Sequence, residues 1–196
     1  MKIDQTVTTP FRAFYSDPHF GHENIISFCD RPYSNVAHME QEFTLNYNKI
    51  VGKDDWVCWV GDCFFGHNAW EGRNVLERMN GHKVLVKGNH DDSNNKMLSM
   101  GFALVVDSLH LMIKDKLCQV NHFPYAFTAN QIAQRKAAGA MIDNRYADRR
   151  PKRVKGVTLI HGHTHSAEKC GDIGIHVGVD AWNYGPAPIE EVAALL

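Results

Sequence analysis

The segment Val157-Thr158-Leu159-Ile160-His161-Gly162-His163-Thr164-His165 is a short β-branched and apolar run that stops at three imidazoles. Its length and residue types suit a buried strand better than a helix. The same grammar recurs along the chain. Phe11 to Tyr15 runs into Ser16-Asp17-Pro18-His19, Trp56 to Val60 into Gly61-Asp62, and Val84 to Val86 into Gly88-Asn89-His90-Asp91. Leu117 to Val120 ends at Asn121-His122, and Ile175 to Val179 leads into Asp180-Ala181-Trp182-Asn183. Between these runs, Val36, Met39, Glu40, Phe43, Tyr47 and Ile50 fall on one helical face, and Trp70, Val75, Leu76 and Met79 on another, which Gly81 ends. Strands alternating with packing helices predict an α/β fold. In such sheets ligands gather beyond the carboxyl ends of the strands, where loops can present side chains without disturbing the core. The polar clusters at successive strand ends therefore predict one shared site.

Composition narrows the partners. The 196 residues are 44% hydrophobic, enough for one substantial core, so a single domain over residues 1–196 is expected. The net charge of −1, from 21 basic and 22 acidic residues, excludes a global field that would draw the chain to nucleic acid or anionic lipid. Any bound anion must be captured locally. Met1 to Pro10 is polar and no run approaches bilayer-spanning length, so a soluble, cytoplasmic protein with no membrane partner is expected. Cys29, Cys58, Cys63, Cys118 and Cys170 are odd in number and widely spaced, which predicts reduced thiols. The 12 histidines are the unusual feature and direct attention to metal or phosphate chemistry. Residues 126–156 differ from the rest, being rich in Ala, Gln, Arg and Lys. They are expected to begin as a helix through Ile132 and Arg135 and to form a basic flap inserted over the site. Arg145, Arg149 and Arg150 could clamp a phosphate in bidentate fashion, or could simply be a solvated charged face.

Asp17 and His19 stand at i and i+2 just past a strand, and an extended backbone would send both side chains to the same side, able to share a cation. His163 and His165 repeat the spacing, with Gly162 permitting a close backbone approach. Asp62 is a second strand-end carboxylate suited to bridge two cations; Asn89 offers an amide oxygen and His122 a further imidazole. This mixture suits two divalent ions such as Mn, Fe, Zn or Ni rather than a thiolate-selecting metal, and it is too nitrogen-rich for calcium. Gly-Asp alone also marks ordinary turns. It is the joint occurrence of these motifs, each after an apolar run, that carries the reading. Two divalent ions would have about half of their charge cancelled by the two aspartates, leaving positive charge to face a phosphoryl anion.

In the order Asp-x-His, Gly-Asp, Gly-Asn-His-Asp, His, Gly-His-Thr-His, the chain resembles the calcineurin-like metallophosphoesterases over nearly its whole length. It is most similar to small stand-alone members that begin Asp-x-His-Phe-Gly-His-Glu-Asn-Ile, here Asp17 to Ile25, and end near Val-Gly-Val-Asp-x-Trp-Asn-Tyr, here Val177 to Tyr184. The resemblance implies a four-layer α/β/β/α sandwich of two packed, mostly mixed sheets, with the metal site at the strand carboxyl ends. It implies that Asp17, His19, Asp62 and His165 hold one cation and that Asp62, Asn89, His122 and His163 hold the other. It also implies that His90 lies over the substrate, stabilising phosphoryl charge or protonating the leaving oxygen, with Asp91 orienting it. Where the family usually carries a small residue, often serine, before the fourth motif's histidine, this chain has Asn121. Supporting roles are expected elsewhere: His161 as a packing histidine, His22 and Glu23 as caps of the helix after Gly21, and Cys63 as a small buried hydrophobe. The expected activity is hydrolysis of a small, nucleotide-like phosphomonoester or phosphodiester by a metal-bridging hydroxide attacking in line. A nuclease acting on DNA or RNA, supported by the basic flap, and a non-catalytic scaffold are the alternatives.

Overall fold

The computed structural model describes residues 9–137 and 146–196. The chain forms a layered α/β sandwich built on two mixed five-stranded sheets. The first sheet grows by crossovers. β1 (Phe11–Tyr15), β2 (Trp56–Trp59), β3 (His82–Val86) and β4 (Leu104–Val106) lie side by side and parallel, and β10 (Ala187–Pro188) closes the β1 edge antiparallel. The links between the parallel strands are α1 (Glu23–Phe28) with α2 (Val36–Ile50), then α3 (Ala69–Arg78), then α4 (Asn94–Met100). In the second sheet β5 (Leu109–Ile113), β6 (Lys116–Val120), β7 (Val157–His161), β9 (Gly174–His176) and β8 (Cys170–Gly171) follow one another in space. There β6, β7 and β9 are parallel, while the two hairpin partners at the edges run the other way.

Strand alternation splits the core in two. Val57, Trp59 and Leu85 pack with Met39, Phe43 and Tyr47 of α2, Val75 and Leu76 of α3 and Met97 of α4. Phe14, Cys58, Val84 and Val86 point the other way and meet Cys118, Val120, Ile160 and Ile175 of the second sheet. The period of two thus serves a helix layer on one face and the second sheet on the other. The final helix, α6 (Ile189–Ala194), covers the β1 edge, while α5 (Ala129–Ala137) lies beside β8 and β9, where the Gln131 amide donates to Asp172.

The helices begin where their sequences offer caps. Asn35 accepts from the His38 amide to start α2, and Asn68 with Glu71 forms a capping box at α3. Trp70 departs from the expected packing face of α3; it is 70% exposed, because the buried side is carried by Gly72, Val75 and Leu76. The helix expected through Ile132 and Arg135 is α5, whereas residues 138–145 of the expected flap lie outside the described residues. All five cysteines are free thiols, with Cys63 fully buried as expected. No described helix is long and apolar enough to cross a membrane.

Candidate metal centre

β1, β2, β3, β6 and β7 all end at one edge of the sandwich, and the polar residues that follow them converge there. An isolated parallel bridge between Ser16 and Gly178 joins the two sheets at this edge. The ligand atoms of Asp17, His19 and His165 lie within 4.8 Å of one another, as do those of Asp62, His122 and His163. Asp62 stands between the groups: its Oδ2 is 3.7 Å from His19 Nε2 and 3.4 Å from His122 Nε2. Asn89 Oδ1 and His163 Nδ1 each lie 3.2 Å from His122 Nε2. Every residue expected as a ligand is therefore within one small cluster.

The route to this convergence differs from the expected one. The i, i+2 pairs are not extended. Asp17, His19, Asp62, His163 and His165 all take positive φ, between 49° and 72°. Non-glycine residues rarely adopt this left-handed conformation, and when they do it clusters at functional sites. The sharp bends follow from the chain leaving each strand and folding back over the sheet edge, which aims alternate side chains inward without a strand's alternation. Gly162 is required for one of these bends, since a Cβ there would overlap Ser16 Oγ and Asp17 Oδ2. The His163 amide in turn donates to both Asp17 oxygens, at 3.1 and 2.9 Å.

A backbone carbonyl and a side-chain carboxylate fix the tautomers of two rings. His122 Nδ1–H donates to the Val60 carbonyl at 2.8 Å, leaving Nε2 for the cluster. His165 Nδ1–H donates to Asp180 Oδ2 at 2.9 Å, again leaving Nε2. Asp180, on a single turn of 3-10 helix over Val179–Ala181, is held by Arg31, whose Nε and Nη2 reach its two oxygens at 2.8 and 3.0 Å. Arg31 is buried and also donates to the carbonyls of Asp17 and Pro18. Spacing in sequence offered no sign of this Arg31–Asp180–His165 chain. Its only trace was the Asp180 that follows the last apolar run.

Carboxylates and imidazoles in the cluster shift one another. Burial would raise the Asp17 and Asp62 carboxyls, but neighbouring imidazoles, His122 foremost, outweigh it and hold both low, as carboxylates. Burial likewise opposes protonation of His122 and His165, yet Asp62 pulls His122 up to about 9 and Asp180 pulls His165 up to about 10. His19 and His163 go the other way, to about 3 and about 4, with burial the main cause. Among the described residues, both ring nitrogens of His19 are buried without a hydrogen-bond partner. Buried unpaired polar atoms of this kind cost about 1–3 kcal/mol each and call for a partner such as an ion. The carboxylates, the amide oxygen and these imidazoles are a donor set that could hold a metal ion.

His90 is exposed at the mouth of a cleft of about 460 Å³ lined also by His19, Asp62, Asn89, His163 and His165, and its amide donates to Asp62 Oδ1 at 2.9 Å. Asp91 does not orient the His90 ring. Its oxygens accept from the amides of Asp62, Cys63 and Gly88 at 3.0, 2.9 and 2.8 Å, so it ties the β2 and β3 loops together instead. His22 occupies the N-cap of α1 but makes no capping bond through its side chain, because its ring is stacked on Phe65; Glu23 accepts from the Val36 amide at the start of α2. His161 turns away, donating from Nδ1 to the Gly162 carbonyl and packing beside His176, which fits its expected packing role. Arg145 lies outside the described residues. Arg149 lines a separate cavity of about 380 Å³ with Lys87 and Asn121, and Arg150 donates to the Pro124 carbonyl, so neither is among the residues that line the cleft.

No protein-family model matches the chain. It is 43% identical over 82 residues to an uncharacterized protein of Methanocaldococcus jannaschii, a match covering 41% of this chain and 47% of that protein, so the chain spans about half of that relative's length. The gene 66 protein of Mycobacterium phage D29 is 28% identical over 205 residues, covering 93% and 94% of the two chains. Among solved structures, a protein of unknown function from Aquifex aeolicus superposes with a TM-score of 0.63 at 23% identity, over 94% of this chain and 98% of that one. That likeness establishes the shared fold. An archaeal phosphodiesterase aligns with a TM-score of only 0.37 at 14% identity, over 85% and 82% of the chains, too loosely to carry an argument.

Proposed function

We propose that the protein is a dinuclear-metal phosphoesterase of the calcineurin-like type. The observation that carries this reading is the position of Asp62 Oδ2 between two ligand groups, beside a His19 ring whose buried nitrogens have no hydrogen-bond partner among the described residues. Asp17, His19, Asp62 and His165 would hold one cation, and Asp62, Asn89, His122 and His163 the other. Divalent cations bound there would acidify water and screen the charge of a phosphoryl group.

The chain's own residues supply the rest. The amides that converge on Asp91 hold the loops after β2 and β3 in one arrangement, so that Asp62, Asn89 and His90 keep their spacing. His90, at the cleft mouth with its backbone pinned to Asp62, can place a ring N–H against a phosphoryl or leaving-group oxygen. Arg31 and Asp180 keep His165 in the tautomer that turns Nε2 to the cluster. The cleft volume suits a small ester.

The test is to load the protein with Mn, Ni, Zn or Fe, count bound metal, and assay a panel of monoester, diester, cyclic-nucleotide and polynucleotide substrates. Two metal equivalents and metal-dependent turnover are expected, both lost in Asp62→Asn. Retention of both by that variant would refute the reading. A second reading, cleavage of polynucleotides, draws on Lys87 and Arg149 around the neighbouring cavity. It requires binding that falls steeply with salt, with a shallower slope once Arg149 is neutralised.

A further inference from the structure

We infer that His22, Phe28 and Phe65 form a stacking platform at the rim of the cleft, and that it receives a flat aromatic ring carried by the substrate, such as a nucleobase. The inference rests on the phosphoester reading of the same cleft and concerns the part of the substrate remote from phosphorus.

Singly exposed apolar side chains are ordinary, and Trp70 is one. Phe28, 73% exposed, and Phe65, 44% exposed, are not scattered in this way. They come from different elements, the end of α1 and the loop after β2, and they meet across His22. Phe65 lies parallel to that ring at 4.1 Å between centroids, and Phe28 stands edge-on to it at 6.1 Å. The array is continuous with the metal centre: His22 is 5.8 Å from the His19 ring and Phe65 is 5.9 Å from the His90 ring. His22, Ile25 and Phe28 line the same cleft as Asp62, Asn89 and His163.

The Phe65 side of the platform is also fixed in place. Phe20 donates to the Cys63 carbonyl and Phe65 donates back to the Phe20 carbonyl at 2.8 Å, while the Gly21 amide donates to Glu40. Gly21, at φ 88°, lets the two loops close on each other, since a Cβ there would overlap the His67 ring and the Phe65 carbonyl. Solvent-exposed aromatic faces beside the proposed cation centre suit a flat ring that stacks while its phosphate reaches the cations. Stacking of this kind needs only a π-face.

The experiment compares methyl phosphodiesters of a nucleoside 5′-phosphate, of ribose 5-phosphate and of benzyl phosphate, hydrolysed by the metal-loaded protein. The nucleoside ester is expected to exceed the ribose ester at least tenfold in kcat/KM. That ratio should fall toward one in Phe28→Ala and in the Phe28→Ala/Phe65→Ala double variant, and persist in Trp70→Ala. A nucleoside ester turned over better than the benzyl ester identifies a nucleobase as the ring; equality or the reverse identifies a simpler aryl group. A wild-type ratio near one, or a ratio that survives both substitutions, overturns the platform. If these diesters are inert, the corresponding monoesters replace them in the same comparison; if no monoester or diester is hydrolysed with any metal, the phosphoesterase reading fails first and the platform with it.

Discussion

Asp17, His19, Asp62, His163 and His165 adopt backbone conformations that cost roughly 1–2 kcal/mol apiece for residues with a side chain. Two buried carboxylates add their mutual repulsion. In the cation-free protein His122 and His165 offset that charge, their rings raised to about 9 and about 10 against the pull of burial. Both therefore carry protons at pH 7, on the Nε2 atoms that a cation would claim. Loading the site must then release protons, and affinity should climb as pH rises toward 9. Calorimetry in buffers of different ionisation enthalpy would reveal this, and a binding heat independent of buffer would contradict it. His90 lies outside the buried cluster, so His90→Ala should lower kcat about 10²- to 10⁴-fold while elemental analysis still finds two metals per chain. Loss of the metals instead would mean that His90 serves the cluster and not the substrate.

Between elements, the link that matters most joins the loop after α1 to the turn after β9. Arg31 is buried, and Asp180 is its counter-ion as well as the partner of His165. Asp180→Asn removes that charge and leaves a guanidinium buried without compensation, which should cost about 3–5 kcal/mol in urea denaturation. His165 loses its carboxylate at the same time, so competition with a chelator should show metal affinity weakened about 10- to 100-fold. The exposed Arg12–Glu190 pair, also 2.8 Å long, provides the contrast: Arg12→Ala should change stability by less than about 1 kcal/mol, because water already screens both partners. Equal losses from the two substitutions would show that burial is not what gives the Arg31 link its weight.

At the scale of the molecule, the two sheets share an apolar core between their faces and are joined again where their parallel strands end, through the Ser16–Gly178 bridge and the polar cluster itself. A cation shared there binds only the assembled sandwich. At a hundredfold excess over its dissociation constant, a divalent ion should add about 2.7 kcal/mol to stability. For a chain of this length, that corresponds to a rise in Tm of about 5–10 °C over chelator-treated protein. Scanning calorimetry checks it, and an unchanged Tm across the concentration range that supports turnover would place the ions outside the cluster.

Local patterns in the chain were enough to specify β1, β2, β3, β6 and β7, the α2 and α3 helices, and the polar residues that follow each strand. Strand alternation, helix periodicity and a motif's position after an apolar run all act within a few residues. What the fold alone decided has no local period. The left-handed bends at Asp17 and His163 arise from folding back over a sheet edge, and the spacing suggested extended pairs instead. Asp91 turned to three backbone amides because two loops met around it. Arg31 found Asp180 across 149 residues, and the His22 ring stacked on Phe65 rather than capping its helix. Such pairings follow from which surfaces the packed layers bring together. The residue types were present in the sequence, but their proximity existed only once both sheets had closed on each other.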